Sequence, residues 1–371
     1  MHDCLIIGGG VIGFSLAYEL SSHGARVRVI DQSKVAREAS WAGAGILPPA
    51  NLSTAVHPLD QLRGLSHYLH PQWAQALHKE TGIDTGFRRC GGIYLARTNG
   101  EAAALTAYAN LLRSEEIKVE ELPLGDVVDY EAALGPLVDS GDLVKAFRVP
   151  GECQLRNPHH LQALIAACKR RHVCIDEQVS LGQLILTRDR LVGLETSCGT
   201  MKADRFCIAS GAWSGKLLKQ FDLSCGIMPV RGQLVMFRCD KPPFQHVLNE
   251  GSRYLVPRDD GRVLVGSTED EVGFDKSTEQ RVLEELADFA CGITPALRDA
   301  QVERTWAGLR PGSFDGFPYL GAIPGLSNVF VAAGHFRSGL FLSTGTAVVM
   351  SQLIRQQNPQ IDLRPFRVGR G

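Results

Sequence analysis

Three glycines, Gly8, Gly10 and Gly13 of "CLIIGGGVIG", carry the first chemical signal of this chain. They follow a short apolar run that reads as a buried strand and precede a run, 11–22, that reads as a helix ending near Gly24. Asp31 closes the alternating run "RVRVID", which reads as the next strand. Glycines so placed allow a tight turn, close approach of a pyrophosphate and close packing of helix on strand. The helix N-terminus draws the phosphate charge, and the acid accepts hydrogen bonds from a ribose. Dinucleotide binding is the chemistry this implies, with Gly8, Gly10, Val11, Ile12, Gly13 and Asp31 in contact. A glycine-rich turn in an α/β protein is the plainer alternative. Asp31 does not choose between FAD and NAD.

A second signal lies far downstream. "WAGLRPGSFDG", 306–316, sets Arg310 among residues that read as interior or pocket wall. A guanidinium there has lost water and needs a partner, since an unpaired buried charge is costly. No carboxylate closely precedes it, and Asp315 lies between glycines that mark a turn. The partner is therefore a distant acid of the chain or an anion that comes and goes. A third stretch, "REASWAGAGIL" at 37–47, is a loop of small residues where a nicotinamide-binding domain would enter its next helix and strand. Ala42, Gly43, Ala44 and Gly45 would let backbone lie against a large planar group, with Ile46 as the next contact; a flexible surface loop is the plainer reading.

The elements that must hold these residues alternate in character. The opening is a βαβ unit. A helix is expected over about 58–81, a strand over 91–97 and a helix over 99–116. "NPHHLQALIAACKRR" reads as a helix with Asn157 as cap and Pro158 at its first position. Strands are expected at 183–197 and 203–209. From 226 to 268 the chain turns strand-rich, with "RDDGR" as a hairpin turn. Ser277 and Gln280 are spaced for a capping box on a helix reaching Cys291. A strand at 328–336 runs into a glycine turn and a closing helix at 339–355. Nucleotide-like features at both ends and strands between them predict an α/β fold: a discontinuous Rossmann-like domain (1–86, 146–222, 301–371) with a second, α+β domain (87–145, 223–300) inserted into it.

Bulk properties narrow the class. A chain of 371 residues exceeds one simple core, and 44% hydrophobic with 21% charged residues is ordinary for a globular protein. A net charge of −1 and the lack of a basic run argue against nucleic acid or an anionic membrane as partner. The N-terminus lacks a basic leader, and its glycine-centred run does not suit a signal core. No uncharged apolar stretch reaches transmembrane length. Ten scattered cysteines, none in C-x-x-C, read as reduced and structural, which fits the cytoplasm. His159 and His160 lack ligand spacing, so no metal is expected.

"CLIIGGGVIG", "SWAGAGIL", "CIASGAWSG", "PVRGQ", "YLVPRDDGRVLVGSTED", "WAGLRPGSFDGFPYLG" and "VAAGHFRSG" occur in this order. Together they resemble the glycine oxidase branch of the D-amino-acid oxidase superfamily, from about residue 3 to about residue 355. The resemblance implies non-covalent FAD, a substrate domain on a large mixed sheet, and often a role in thiamine biosynthesis. It implies hydride transfer from the substrate Cα to flavin N5. The resulting imine hydrolyses to glyoxylate and ammonia, and dioxygen becomes hydrogen peroxide. No side chain is expected as acid or base.

By the same resemblance, Arg310 and Tyr254 hold the substrate carboxylate and Arg337 lies near flavin and substrate. Gly334, His335, Phe336, Arg337, Ser338, Gly339 and Leu340 form the turn under the flavin ring, where the closing helix would stabilise charge on the reduced ring. His335 reads as a packed or flavin-adjacent residue, not a base. Ser40, Gly43, Ala44 and Gly45 match the early flavin loop; Gly211, Ala212 and Val179 would pass near the adenine or pyrophosphate. The chain departs from the pattern at Asn249, where related enzymes can carry a second tyrosine, and at Glu269, where one carries a methionine. Both are pocket-wall candidates that put the preferred substrate in doubt. The partners implied are a small amino acid and dioxygen, in a homo-oligomer, which can be a homotetramer. The rivals are a sarcosine or D-amino-acid oxidase or dehydrogenase, a flavin domain acting on an aminomethyl group of tRNA, and a non-catalytic nucleotide-binding regulator. Flavin attachment to a C-terminal cysteine is disfavoured, because no cysteine follows Cys291.

Overall fold

A computed structural model describes residues 2–370. The opening βαβ unit forms as the glycine spacing predicts: strand His2–Ile7, helix Val11–Ser22, strand Val27–Ile30. These strands sit in a six-stranded sheet ordered Tyr319–Ala322, Val329–Ala333, Ala203–Ile208, His2–Ile7, Val27–Ile30, Cys174–Asp176. All neighbours are parallel except the first pair. A parallel sheet is buried on both faces, and the first strand shows how. Cys4 and Ile6 face a core shared with the helices Val11–Ser22, Pro58–Thr81, Asn157–Arg170 and Gly339–Ile354. Leu5 and Ile7 face a second core under the hairpin Leu181–Thr187/Arg190–Thr196.

The second sheet has eight strands, ordered Gln301–Gly312, Met228–Arg238, Arg262–Gly266, Arg253–Pro257, Val247–Glu250, Gly92–Ala96, Lys145–Val149, Glu120–Leu122. One neighbour pair, Val247–Glu250 with Gly92–Ala96, is parallel, so the sheet is mixed. Its faces alternate with period two. Leu255, Val265, Val235 and Phe237 pack under the helix Gln280–Ile293. Tyr254, Val256, Leu264, Leu234 and Trp306 point the other way, beside Ala44 and Ile46 of the small-residue loop.

Three expectations need correction. Strands Lys145–Val149 and Gln301–Gly312, assigned above to the nucleotide-binding part, pair within the eight-stranded sheet, the latter along almost all of Met228–Arg238. Asn157 is the first residue of its helix, not its cap; its amide instead donates to Ser40 O at 2.8 Å. Ser277 does not cap the helix that starts at Gln280, because its own N–H and hydroxyl are taken by Asp275. In both cases a side chain that could satisfy a helix end found a different backbone or acidic partner.

Candidate active site

Between the two sheets lies a cavity of about 720 Å³. It runs from Gly8, Gly10 and Asp31 at one end to Tyr254 and Arg310 at the other. Its size is that of a cofactor or drug-sized ligand pocket.

The nucleotide end is built by local geometry. Gly8 has φ +118°, and a Cβ there would lie 2.3 Å from Ala209 O. Gly13 does not face the cavity; a Cβ on it would meet Gly8 O at 1.9 Å, so its role is to bring the helix against the turn. Asp31 accepts from Gly9 N and Ser33 N, each at 2.8 Å, and so draws the glycine turn to the end of the second strand. Ser40 Oγ accepts from Val11 N at 2.9 Å, linking helix start and small-residue loop. Val179 is buried against this end and donates its N–H to Asp31 O at 2.8 Å. Gly211 and Ala212 also line the cavity.

The loop at 39–46 is held rather than flexible. A short helix, Ala39–Ala42, opens it. Ser40 O, Ala42 O and Ala44 O each receive a side-chain donor from elsewhere: Asn157 Nδ2 at 2.8 Å, Trp306 Nε1 at 2.9 Å and Arg258 Nη2 at 2.6 Å. Arg258 is 7% exposed and donates to neutral acceptors only, with no ion pair among the described residues. Burial pushes its guanidinium down to about 10, so it stays charged at neutral pH. Its other donors go to Gln154 Oε1 and Leu155 O. Arg258 was not read as a site residue from the sequence, where it is one more basic residue before a hairpin turn.

At the far end, Arg310 and Tyr254 line the cavity together. Arg310 donates to Thr268 O at 2.9 Å and Ser267 Oγ at 2.7 Å, and no carboxylate bridges it among the described residues. Burial, and then nearby Arg337, lower its pKa, while Tyr254 acts against them. Two glycines make the space. A Cβ on Gly232 would lie 2.2 Å from Arg310 Nη2, and one on Gly266 would lie 2.7 Å from the Tyr254 hydroxyl. The loop supplying Ser267 and Thr268 is tied down by Arg231, which is 2% exposed and pairs with Asp270, Asp275 and Glu279.

The remaining candidates divide. His335, Phe336, Arg337, Ser338, Gly339 and Leu340 line the cavity, at the start of the closing helix; Gly334 does not, and its φ of +77° serves the turn. His335 is buried, bonds Thr346 Oγ1 at 3.1 Å, and is held down to about 3 by burial. Arg337 reaches the rim, where it pairs with Glu269 and donates to Ser252 O. Glu269 is thus no wall of the cavity; the arginine takes it. Asn249 is a wall residue. Its amide donates to Glu152 Oε1 at 3.0 Å, and the Tyr94 hydroxyl donates to Glu152 Oε2. Glu152 is 0% exposed, and burial raises its carboxyl to about 7 against the two hydrogen bonds. The sequence offered no sign of it: "PGECQL" is a turn with one acid.

A largely parallel sheet with a glycine turn and an acid closing its second strand, facing a mixed sheet that carries a half-buried arginine without an ion pair among the described residues, has the form of a dinucleotide-binding oxidoreductase with an anion pocket. The chain belongs to the FAD dependent oxidoreductase family, whose profile matches residues 3–353. It is 33% identical over 363 residues to a glycine oxidase of Pseudomonas aeruginosa, covering 98% of this chain and 97% of that protein. It is 32% identical to the bifunctional protein ThiO/ThiG of Synechocystis, covering 96% of this chain and 52% of that protein. A crystal structure of glycine oxidase from Geobacillus kaustophilus matches with a TM-score of 0.94 at 32% identity, over 100% of this chain and 99% of that one. The protein is an FAD-dependent enzyme. The cavity fits the cofactor: glycine turn, helix start, Asp31 and small-residue loop line one continuous space.

Two outcomes are expected from these contacts. Arg258→Met leaves Ala44 O and Gln154 Oε1 without their donor and should destabilise the protein by roughly 2–4 kcal/mol; urea midpoints and FAD content after gel filtration check this, and full FAD retention would contradict it. Glu152 holds its proton to about 7 when folded but loses it near the ordinary carboxylate value when unfolded. The folded state therefore binds more protons in that window, and stability falls as pH rises through it, by up to about 3 kcal/mol. Urea unfolding between pH 4.5 and pH 8 should show this slope in the native protein and lack it in Glu152→Gln.

Proposed function

We propose that this enzyme oxidises the amine of glycine, and of other small amino acids, to an imine with dioxygen as final electron acceptor. Hydrolysis of the imine gives glyoxylate and ammonia, and dioxygen leaves as hydrogen peroxide. One observation carries the proposal: Arg310, half-buried beside Tyr254 on the cavity wall, has only neutral acceptors among the described residues. A desolvated guanidinium fork is complementary to a carboxylate, and the pair is strong where water is excluded. The Tyr254 hydroxyl, free to donate, completes a carboxylate site. Bound FAD supplies the two-electron acceptor that side chains lack. The protein's own share is to hold the carboxylate, fix the Cα–H toward the cofactor and keep water out.

Likeness to glycine oxidases over nearly the whole chain supports glycine as substrate. Likeness to about half of a protein named ThiO/ThiG supports a role in thiamine biosynthesis. No helix is long and apolar enough to cross a membrane among the described residues, and a cytoplasmic homo-oligomer is part of the same proposal.

Glycine, sarcosine and D-alanine, added in parallel to the oxygen-free holoenzyme, test the reading. Glycine should bleach the visible flavin absorbance fastest, with peroxide appearing when air returns. Arg310→Ala should weaken glycine use by the equivalent of roughly 2–5 kcal/mol while FAD stays bound. Bleaching by none of the three, or unchanged glycine kinetics in the variant, would sink the assignment.

A further inference from the structure

Asn249 sits in a cross-strand row. Its register partners are Tyr94 on the parallel side and Tyr254 on the antiparallel side, so the three side chains share the cavity face about 4.8 Å apart by strand. Glu152 closes the row from behind, accepting from Tyr94 and from Asn249 Nδ2. Above its folded pKa of about 7 the Glu152 carboxylate can only accept, which sets the Asn249 NH2 toward it. That leaves Oδ1 of a cavity-lining residue with no donor among the described residues. A Cβ on Gly92 would lie 2.3 Å from Glu152 Oε1, so the chain keeps this place clear for the carboxyl group.

We propose that Asn249 Oδ1 accepts a hydrogen bond from the substrate's amino group, and that Glu152 is the positioning residue that fixes the amide in this orientation. The inference rests on the oxidase reading above. An amino acid whose carboxylate lies on Arg310 and Tyr254 carries its nitrogen one carbon further on, toward the next residue of the row. The oxygen of Asn249 stands there as an acceptor for N–H. The pocket thereby distinguishes an amino acid from a simple carboxylate of the same size.

The test compares glycine with acetate, which has the carboxylate and no amine, on the FAD-loaded enzyme. Asn249→Leu should raise the KM for glycine by about tenfold, the worth of one hydrogen bond in a dry site, and leave acetate binding within about twofold. Glu152→Gln lets the amide turn and should raise the glycine KM in the same direction. The double variant should be no worse than Asn249→Leu alone, since both changes remove one interaction. A merely structural role for Glu152 would instead add its effect and would weaken acetate as well. Asn249→Ala, which empties space rather than filling it, repeats the comparison should Asn249→Leu fail to retain FAD. Equal losses for glycine and acetate, or additive losses in the double variant, overturn the inference and leave the oxidase reading standing. Absence of flavin reduction by any amine in the native enzyme overturns both.

Discussion

The structure depends on three carbonyls. Ser40 O, Ala42 O and Ala44 O, at alternate positions of one short loop, are each claimed by a side chain from a different part of the chain. Asn157 belongs to a helix packed on the six-stranded sheet; Trp306 and Arg258 belong to the mixed sheet and its hairpin. The loop is therefore the joint at which the two sheets are fixed to one another, and it is also a wall of the cofactor cavity. Small residues make both roles compatible. Gly45 has φ +79° and would place a Cβ 1.9 Å from Leu155 O, and Gly308 leaves room for Ala42. A loop this rich in glycine and alanine has little packing of its own. Its rigidity comes from hydrogen bonds that cost free energy to leave unmade once buried.

From that joint follows the electrostatic plan of the far end. Two arginines on adjacent strands are treated in opposite ways. Arg231 points away from the cavity and gathers three carboxylates. Arg310 faces the cavity and receives only a hydroxyl and a carbonyl. The acids that neutralise Arg231 lie on or next to the segment that carries Ser267 and Thr268, so the paired arginine secures the contacts of the unpaired one. A half-buried charge kept without its counter-ion needs well-held acceptors for its N–H groups, and this loop supplies them.

How much of this the sequence made legible depends on how local the physics is. The glycine turn, its helix and Asp31 were readable because a strand, a turn and a helix start specify each other within one βαβ unit. The five helices and strands around 58–116 and 328–355 followed from periodicity. The partial burial of Arg310 was legible from its apolar neighbours, although its carboxylate-free environment required the fold. Glu152 was not legible, because its partners, Tyr94 and Asn249, come from strands far apart in the chain and meet only across the sheet. Arg258 escaped for the same reason. Asn157 and Ser277 were misassigned as caps because a short polar side chain suits several partners, and packing chose others. The strand Gln301–Gly312 was placed with the wrong sheet because sequence order says nothing of which edge a strand joins.

The inventory of the cavity also bears on how the chemistry is divided. Its titratable groups are engaged with protein partners rather than left free to shuttle protons. His335 is neutral, buried and engaged with Thr346. Glu152 has both oxygens occupied by donors and no exposed surface. Arg310 remains a cation, and Arg337 is turned to Glu269 at the rim. What these side chains can do is orient: a fork for a carboxylate, a phenol beside it, an amide acceptor one strand further on. A reaction that asks the protein chiefly for alignment, with the electron-accepting chemistry supplied by the cofactor, is the one such a wall can support.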